Sequence, residues 1–374
     1  MDMEKRGLAI IYNPHNLYQF VWYYCNKGKE KKWDALCLPN GYKGEYMHIY
    51  CENTDIFQRI YRNDTDFSIM SITKKFRTFA GMFLYYIMGR RTAYCKKLIN
   101  QYVNVDDYDT FVVISAVGVV AGACVALGKE NEVIVLEDGS ADYRARQRFI
   151  SKKIMISGYL WQGFFLSLMG YCNPGWFRLK TDKYCIKYCG QPEKMIYRRY
   201  KEIRQLYTSE GTDMELFDSL VRKIYPSINH YDFDSVDVIL MTGPLEDFVM
   251  DYEKYKKRIE KYIEGRYKSV LLKKHPREQG KYQFGNSVKV TEIDNSIPAE
   301  VILPYLKGID IVMATPSSMM IYLRAYGLKC TTIYFDGMYE ENMNSSTNYK
   351  YLSRWEYDEY CKKFASEYYQ TIVL

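Results

Sequence analysis

At 374 residues, with 48% hydrophobic and 26% charged residues, the sequence is long enough for two globular domains, and its composition excludes intrinsic disorder. Its net charge of +7 is dispersed along the chain. The sequence also lacks zinc-finger spacing and a basic-zipper pattern, which argues against a nucleic-acid partner. Ten scattered cysteines in a chain of this size do not form a disulfide scaffold, so free thiols in a reducing cytoplasm are expected.

The first half of the chain alternates apolar runs with amphipathic stretches, the pattern of an α/β protein. An uncharged run at 111–128 is as long as a membrane span, but its small residues favour strand, turn and helix of a buried parallel unit. A second uncharged run at 154–172 is aromatic and flanked by basic residues, which favours an interfacial segment. Strands are predicted at 8–12, 46–50, 111–115 and 133–136, and helices from about residue 17, within 76–103 and within 188–220.

The second half repeats this alternation after a linker-like segment at 225–229. Strands are predicted at 236–241, 269–273, 288–292, 309–314 and 330–334, with a charged helix at 247–265. We therefore predict an α/β protein with Rossmann-like domains at 1–225 and 226–350. A C-terminal helix at 351–374 is expected to pack back on the first domain. Ligands of such folds bind at the carboxyl ends of the strands, so two domains facing each other would enclose a central cleft.

An acidic motif follows the predicted strand at 133–136. Glu137 and Asp138 are adjacent, and in an extended segment their side chains point in opposite directions, so only one carboxylate faces a ligand. Gly139 allows the chain to turn and a substrate to come close. A carboxylate held at a strand end suits a general base. The competing interpretation is a plain turn, because Asp-Gly is a common turn pair.

A basic motif follows another predicted strand. Lys273, Lys274 and His275 offer two cations and an imidazole, which can bind a phosphate through charge-assisted hydrogen bonds. Pro276 fixes the backbone after them. A basic surface loop would have the same composition. Gly243 also follows a predicted strand, and this shared position favours a common ligand site.

A third motif stands where a helix is predicted to begin. Thr315, Pro316, Ser317 and Ser318 follow the predicted strand at 309–314, and Pro with Ser or Thr is typical of a first helical turn. Hydroxyls and amides at a helix N-terminus also bind phosphates. Simple capping and phosphate binding both remain compatible with this motif.

Paired aspartates resemble the metal-binding string of some glycosyltransferases, but three copies in a chain with 45 acidic residues indicate chance. We interpret them as solvated or capping carboxylates. No phosphate-binding Walker loop and no dinucleotide fingerprint is present in the sequence. The three strings are Asp64-Thr65-Asp66, Asp107-Tyr108-Asp109 and Asp232-Phe233-Asp234.

The order and spacing of the three motifs resemble those of bacterial sialyltransferases of the two-domain GT-B type. Those families share an acidic-acidic-Gly motif, a His-Pro motif and a Ser-Ser or Ser-Thr motif in this order. The resemblance covers short segments over about 240 residues and implies a GT-B-like fold with a central cleft. It matches the first half poorly outside 137–143.

The resemblance implies that one acid of the first motif deprotonates the acceptor hydroxyl. Families differ in which acid acts: Glu137 fits the polysialyltransferase-like pattern, and Asp138 fits the pattern that continues Gly-Ser-x-x-Tyr, as here. We take Asp138 as the base. Gly139, Asn13 and His15 are expected on the same acceptor side, where His15 either contacts the acceptor or caps the helix that follows.

On the donor side, the resemblance implies a site for CMP. His275 would contact the phosphate and assist the departure of CMP. The same phosphate would be held by Thr315, Ser317 and Ser318. Positions that resemble contacts to the nucleoside are Gly243, Lys273, Pro276 and Glu300.

These roles predict an inverting sialyltransferase that moves sialic acid from CMP-sialic acid to a bacterial surface glycan, either capsule or lipooligosaccharide. Because cations and helix amides can stabilise the departing phosphate, no metal or other cofactor is expected. Two alternatives stay open: CMP-dependent transfer of another acidic sugar such as Kdo or legionaminic acid, and non-catalytic nucleotide or glycan binding. We expect a cytoplasmic protein, peripheral on the inner membrane face. The sequence does not determine whether the protein is a dimer or which linkage it forms. It also leaves open which acceptor sugar is used and whether sialic acid is added once or repeatedly.

Overall fold

Contacts divide the chain into two compact units, Met1–Tyr225 and Pro226–Leu374. The computed structural model describes residues 6–38, 47–62, 88, 90–114, 119–137, 183–195, 200–208, 210–243, 245, 251–275, 278, 280–314, 319, 322–323, 326–334 and 370–373. A 3-10 turn at Pro226–His230 opens the second unit. The division therefore falls at the segment whose composition resembles a linker.

The first unit contains a parallel sheet whose described strands follow the order β3-β2-β1-β4-β5-β6-β7. They are β1 (Arg6–Ile11), β2 (Trp33–Cys37), β3 (Phe57–Arg62), β4 (Tyr108–Ile114), β5 (Glu132–Leu136), β6 (Ile186–Cys189) and β7 (Glu202–Gln205). β1 pairs with β2 on one side and with β4 on the other. This reversal of direction is the topological switch point of a Rossmann sheet, where ligands bind.

The first and the last described helices of the first unit begin at side-chain caps. The described helices are α1 (Pro14–Tyr23), extended by a π turn at Tyr24–Gly28, α2 (Met47–Glu52), α3 (Arg91–Ile99), α4 (Val119–Ala126) and α5 (Met214–Ile224), with 3-10 turns at Val105–Asp107 and Pro192–Lys194. Asp213 caps α5 by accepting a hydrogen bond from the Leu216 amide at 3.0 Å. Phe217 of α5 packs edge-on against Tyr18 of α1, with ring centroids 5.6 Å apart. Aromatic packing thus attaches the last helix of the unit to the first.

The second unit contains another parallel sheet, in the described order β10-β9-β8-β11-β12-β13. Its strands are β8 (Val238–Met241), β9 (Ser269–Lys273), β10 (Lys289–Glu292), β11 (Asp310–Met313), β12 (Thr331–Tyr334) and β13 (Gln370–Val373). Helix α6 (Tyr252–Glu264) joins β8 to β9, and a 3-10 segment at Ala299–Tyr305 precedes β11. Val238, Val270 and Val312 of three neighbouring strands lie in one core with Ile259 of α6. β8, between β9 and β11, is the switch-point strand.

The predicted α/β class with two Rossmann-like domains is confirmed by these two sheets. The uncharged run at 111–128 is also explained, because it contains the end of β4 and the small-residue helix α4. No helix among the described ranges is long and apolar enough to cross a membrane. The run at 154–172 lies outside the described residues.

The predicted strand at 46–50 is wrong, because those residues overlap helix α2. The neighbour of β1 is instead β2, whose five side chains are all buried. Its apolar pattern is interrupted by Asp34, which is fully buried and accepts a hydrogen bond from the Tyr108 hydroxyl at 2.9 Å. A buried, partnered aspartate conceals a core strand from a search for apolar runs.

Two further predictions need correction. The polar stretch at 188–220 is not one helical region, because β6 and β7 precede α5. β7 lies at the sheet edge and is largely exposed, so it lacks an apolar run. The expected C-terminal helix at 351–374 does not include its last part: Gln370–Val373 form β13, paired with β12 in the second sheet. Residues 351–369 lie outside the described residues.

Candidate active site

The candidate donor site lies at the carboxyl edge of the second sheet. Strands β8 and β9 pair in register, with Met241 opposite Lys273. The ladder continues one step further, because the Thr242 amide donates to the Lys273 carbonyl at 3.1 Å. Gly243 follows directly and is buried. Two predicted site positions, Gly243 and Lys273, are therefore neighbours at the switch point.

The two lysines after β9 have different environments. Lys273 is 3% exposed, and its Nζ donates to the Lys274 carbonyl at 3.0 Å and lies 3.5 Å from Asn295 Oδ1. Lys274 Nζ instead forms an ion pair with Glu292 Oε1 at 2.7 Å. Glu292 of β10 thus compensates the charge of Lys274, while the ammonium group of Lys273 is buried at the end of its strand.

His275 follows these lysines and is partly buried. Its carbonyl accepts a hydrogen bond from the Glu278 amide at 2.9 Å, which closes a turn over 275–278. Glu278 is 6% exposed, and its carboxylate accepts hydrogen bonds from the Thr242 hydroxyl and, at 2.8 Å, from the Tyr282 hydroxyl. Sequence reasoning missed Glu278. The available signal was an acid three residues after the histidine, the spacing of a closed turn.

Other donor-side positions are only partly described. The Ala314 amide after β11 donates to the Met241 carbonyl at 2.9 Å, so this chain segment also reaches the switch point. Pro276 and the segment 315–318, with Thr315, Ser317 and Ser318, lie outside the described residues. Glu300 lies in the first turn of the 3-10 segment before β11 and is partly buried. The helix-start motif therefore stays a prediction.

On the acceptor side, Glu137 follows β5 and is fully buried. Its Oε2 accepts a hydrogen bond from the Gly190 amide at 2.7 Å, and its carbonyl accepts from Gln19 Nε2 at 2.8 Å. Gly190 follows β6 and Gln19 belongs to α1, so Glu137 connects three elements. Asp138 and Gly139 lie outside the described residues.

A buried lysine accompanies Glu137 and was missed by sequence reasoning. Lys187 of β6 is 1% exposed, and its Nζ donates to the Leu136 carbonyl at 2.9 Å. The same Nζ lies 5.8 Å from the centre of the Tyr200 ring, within range of a cation–π interaction. Lys187 sits in a short strand of mixed polarity, which gave no sign of its burial.

Asn13 and His15 stand after β1, at the switch point of the first sheet. Asn13 Oδ1 accepts a hydrogen bond from the Asn16 amide at 2.9 Å, so Asn13 is the cap of α1. His15 is partly buried in the first turn. Of the two roles considered for His15, capping belongs to Asn13 instead.

In the string at 232–234 both aspartates are exposed, and in the string at 107–109 both have structural contacts. Asp107 accepts a hydrogen bond from Asn104 at 2.7 Å, and Asp109 pairs with Lys31 at 2.6 Å. Within the described ranges, no cluster of three or more His, Cys, Asp or Glu side chains could hold a metal ion. The string at 64–66 lies outside them.

Comparison with known protein families identifies the class of enzyme. Residues 91–336, about two thirds of the chain, match the model of the family described as Alpha-2,8-polysialyltransferase (POLYST). No curated protein sequence matches the chain. Two Rossmann-like domains and this family match define a glycosyltransferase of the GT-B type. The chain belongs to the alpha-2,8-polysialyltransferase family, which makes it a sialyltransferase.

Solved structures with similar folds are distant in sequence. An α/β-galactoside α-2,3-sialyltransferase from the luminous marine bacterium Photobacterium phosphoreum is 11% identical, with 99% of this chain and 98% of that chain covered and a TM-score of 0.49. The glycosyltransferase SnogD from Streptomyces nogalater is 11% identical, with 88% and 81% covered and a TM-score of 0.45. MurG from Acinetobacter baumannii is 9% identical, with 98% and 85% covered and a TM-score of 0.45. Likeness at this level says nothing about substrates.

Proposed function

We propose that this sialyltransferase transfers sialic acid from CMP-sialic acid to a hydroxyl of a bacterial surface glycan, with inversion at the anomeric carbon. One observation carries the proposal: at the switch point of the second sheet Gly243 and Lys273 are neighbours, and His275 lies two residues after Lys273. A buried cation and an imidazole at such an edge suit a nucleoside monophosphate.

The donor chemistry fits these residues. CMP-sialic acid already contains a phosphate leaving group, so its departure needs stabilisation of negative charge. Lys273 supplies a buried cation, and His275 supplies a donor for a charge-assisted hydrogen bond to the phosphate. Thr315, Ser317 and Ser318 add hydroxyls in our proposal, and Glu300 and Pro276 lie on the nucleoside side. We propose that neither a metal nor another cofactor takes part.

For the acceptor we propose Asp138 as the general base. Glu137 is fully buried, and the Gly190 amide holds one of its oxygens, which supports a structural role for Glu137. In an extended segment the next side chain points the opposite way, toward a ligand. The base removes the hydroxyl proton, the oxygen attacks the anomeric carbon, and the bond to the CMP phosphate breaks. Attack opposite to the leaving group inverts the configuration.

The acceptor class follows from the family name and from the chemistry. The matched family is named for α-2,8 polysialyl transfer, so a glycan that ends in sialic acid is the first acceptor to test. Capsule and lipooligosaccharide are the bacterial glycans that this proposal addresses. We propose that the enzyme works in the cytoplasm, peripheral to the inner membrane face, where such glycans are assembled.

The decisive experiment offers CMP-sialic acid with a panel of galactosides and sialylated galactosides, in the presence of EDTA. We expect a sialylated product and matching release of CMP. Parallel reactions with CMP-Kdo and CMP-legionaminic acid test the donor, and faster turnover of either would replace sialic acid in the proposal. CMP binding without turnover of any donor would instead indicate a non-catalytic nucleotide-binding protein.

A further inference from the structure

A buried carboxylate connects two strand ends of the donor site. The Glu278 carboxylate accepts a hydrogen bond from the hydroxyl of Thr242, the residue after β8, and another from the Tyr282 hydroxyl at 2.8 Å. Its own amide donates to the His275 carbonyl at 2.9 Å. Three contacts from one residue therefore join the end of β8, the turn after β9 and the segment that follows the turn.

The environment of Glu278 makes these contacts costly to lose. The residue is 6% exposed, and removing its buried carboxylate leaves the Thr242 and Tyr282 hydroxyls without this acceptor and disconnects the turn from the end of β8. Thr242 is itself fixed to β9, because its amide donates to the Lys273 carbonyl at 3.1 Å. The turn that carries His275 is thus held against the two central strands of the donor edge.

We propose that Glu278 is a positioning residue for His275, holding the imidazole at the distance from Gly243 that a nucleoside monophosphate requires. This inference rests on the proposed function, because it assigns the donor phosphate to His275. Phosphate binding depends on position to within a fraction of an ångström, since a charge-assisted hydrogen bond needs short and aligned geometry. Glu278 acts through the turn and need not touch the ligand.

The chain offers a matched control in Glu260. This residue is 7% exposed, close to the 6% of Glu278, and its Oε1 accepts a hydrogen bond from the Gln283 backbone amide at 2.6 Å, where the carboxylate of Glu278 accepts from hydroxyls. Glu260 lies on α6 and makes this bond to the segment beyond the turn. Glu260→Ala therefore removes a buried glutamate from the same unit but keeps the contacts through which Glu278 connects Thr242 to His275.

The experiment measures the affinities of CMP and of cytidine by calorimetry for the full chain and its variants. Cytidine lacks the phosphate, so the ratio of the two affinities reports the phosphate contribution. We expect His275→Ala and Glu278→Ala each to weaken CMP about tenfold and cytidine less than about twofold, the size of one charge-assisted hydrogen bond. The double variant should bind CMP no more weakly than His275→Ala alone. Glu260→Ala should leave the ratio unchanged.

The outcomes separate the inference from the proposed function. Additive losses in the double variant, or equal losses of CMP and cytidine in Glu278→Ala, would make Glu278 a residue of general stability and overturn the inference. A CMP affinity that depends on His275 but not on Glu278 overturns it as well, while leaving the donor site intact. No CMP binding by the unaltered protein overturns both.

Should Glu278→Ala fail to fold, as judged by circular dichroism, Thr242→Val and Glu278→Gln address the same contact. Valine matches threonine in shape and removes only the hydroxyl, and glutamine keeps one acceptor oxygen. We expect Thr242→Val to lower the ratio of CMP to cytidine affinity by about threefold, because the hydrogen bond that joins Glu278 to the end of β8 is lost. An unchanged ratio in both variants contradicts the proposal.

Discussion

The two sheets share a strand order, but the residues at their carboxyl edges are used differently. In the first unit, Glu137 is buried against Gly190, and Asn13 caps a helix, so both predicted site residues serve the fold. In the second unit, the buried ammonium group of Lys273 lies at the corresponding edge, two residues before His275. In the same architecture, the described polar residues Glu137 and Asn13 of the first unit bind backbone groups, while in our proposal Lys273 and His275 of the second unit bind the donor phosphate.

The largest effect should come from removing the proposed base and the proposed phosphate ligand. We expect Asp138→Asn and His275→Ala each to lower kcat by about 10³-fold, within the range of general acid–base catalysis, with unchanged circular dichroism. Asp109→Asn is the control, because Asp109 is paired with Lys31 at the start of β4, away from the carboxyl edge. Full turnover in both site variants would contradict the assignment of these residues.

Glu137 tests whether the first unit uses its acidic motif for structure. Glu137→Ala leaves the buried Gly190 amide without its acceptor, so the free energy of unfolding should fall by about 2 kcal/mol in urea titrations. Glu137→Gln keeps an acceptor oxygen and should cost less than about 1 kcal/mol, with turnover retained. If Glu137→Gln is stable but inactive, Glu137 is the base, as the polysialyltransferase-like pattern implies.

The two lysines of the second unit give a sharper comparison within one motif. Lys273→Met should raise the KM for the CMP donor about tenfold, because it removes a buried cation from the donor edge. Lys274→Met should change KM less than about twofold, since Glu292 already compensates that charge at 2.7 Å. Initial rates over a range of donor concentrations provide both values. Equal increases in KM for the two variants would mean that donor binding depends only on the total charge of the motif.

The second unit was more predictable from the sequence than the first. Strands β8, β9 and β11 are apolar runs followed by Gly, His or Ser motifs, and the structure places β8, β9, β10, β11 and β12 at the predicted positions. The exception is β13, which was predicted as part of a C-terminal helix. In the first unit, Asp34 and Lys187 are buried within strands, so hydrophobic patterning missed β2 and β6. Patterning detects strands whose burial is apolar and misses those whose polar residues find partners inside.

The candidate site shows the same limit. The positions of Gly243 and the Lys273–His275 motif at the ends of predicted strands indicated a shared ligand edge, and the structure has Gly243 and Lys273 at one edge because their strands are parallel neighbours. The hydrogen-bond and ion-pair partners of these side chains could not be predicted from the sequence. Glu292 is remote from Lys274 along the chain, and Thr242 is remote from Glu278. Pairing of charges depends on register, and register is a property of the folded sheet.

The smallest expected effect contrasts two exposed aspartates, one in each unit. Hydrogen bonds from the Lys268 and Ser269 amides lower the pKa of Asp237, and in the first unit a hydrogen bond from Lys29 lowers the pKa of Asp213. A carboxyl whose pKa is lowered by folding stabilises the native state fully above its unfolded pKa of about 3.9, and this contribution is lost as the pH falls through the lower native value. Both Asp→Asn variants should therefore unfold at lower urea than the unaltered protein at pH 7, and the difference should vanish near pH 2.

Salt distinguishes the two aspartates, because their partners differ in charge. Asp213 also caps α5 through the Leu216 amide, and asparagine keeps an acceptor oxygen for that cap, so Asp213→Asn chiefly removes the ion pair with Lys29. This ion pair is 2.6 Å long and half exposed, so about 1 M NaCl, with a screening length of about 3 Å, should remove most of the effect of Asp213→Asn. The backbone bonds to Asp237 are 2.9 Å long and involve neutral donors, so the effect of Asp237→Asn should persist. Urea midpoints at both salt concentrations measure this. Equal salt sensitivity would show that the field around each aspartate, rather than its nearest donor, sets its pKa.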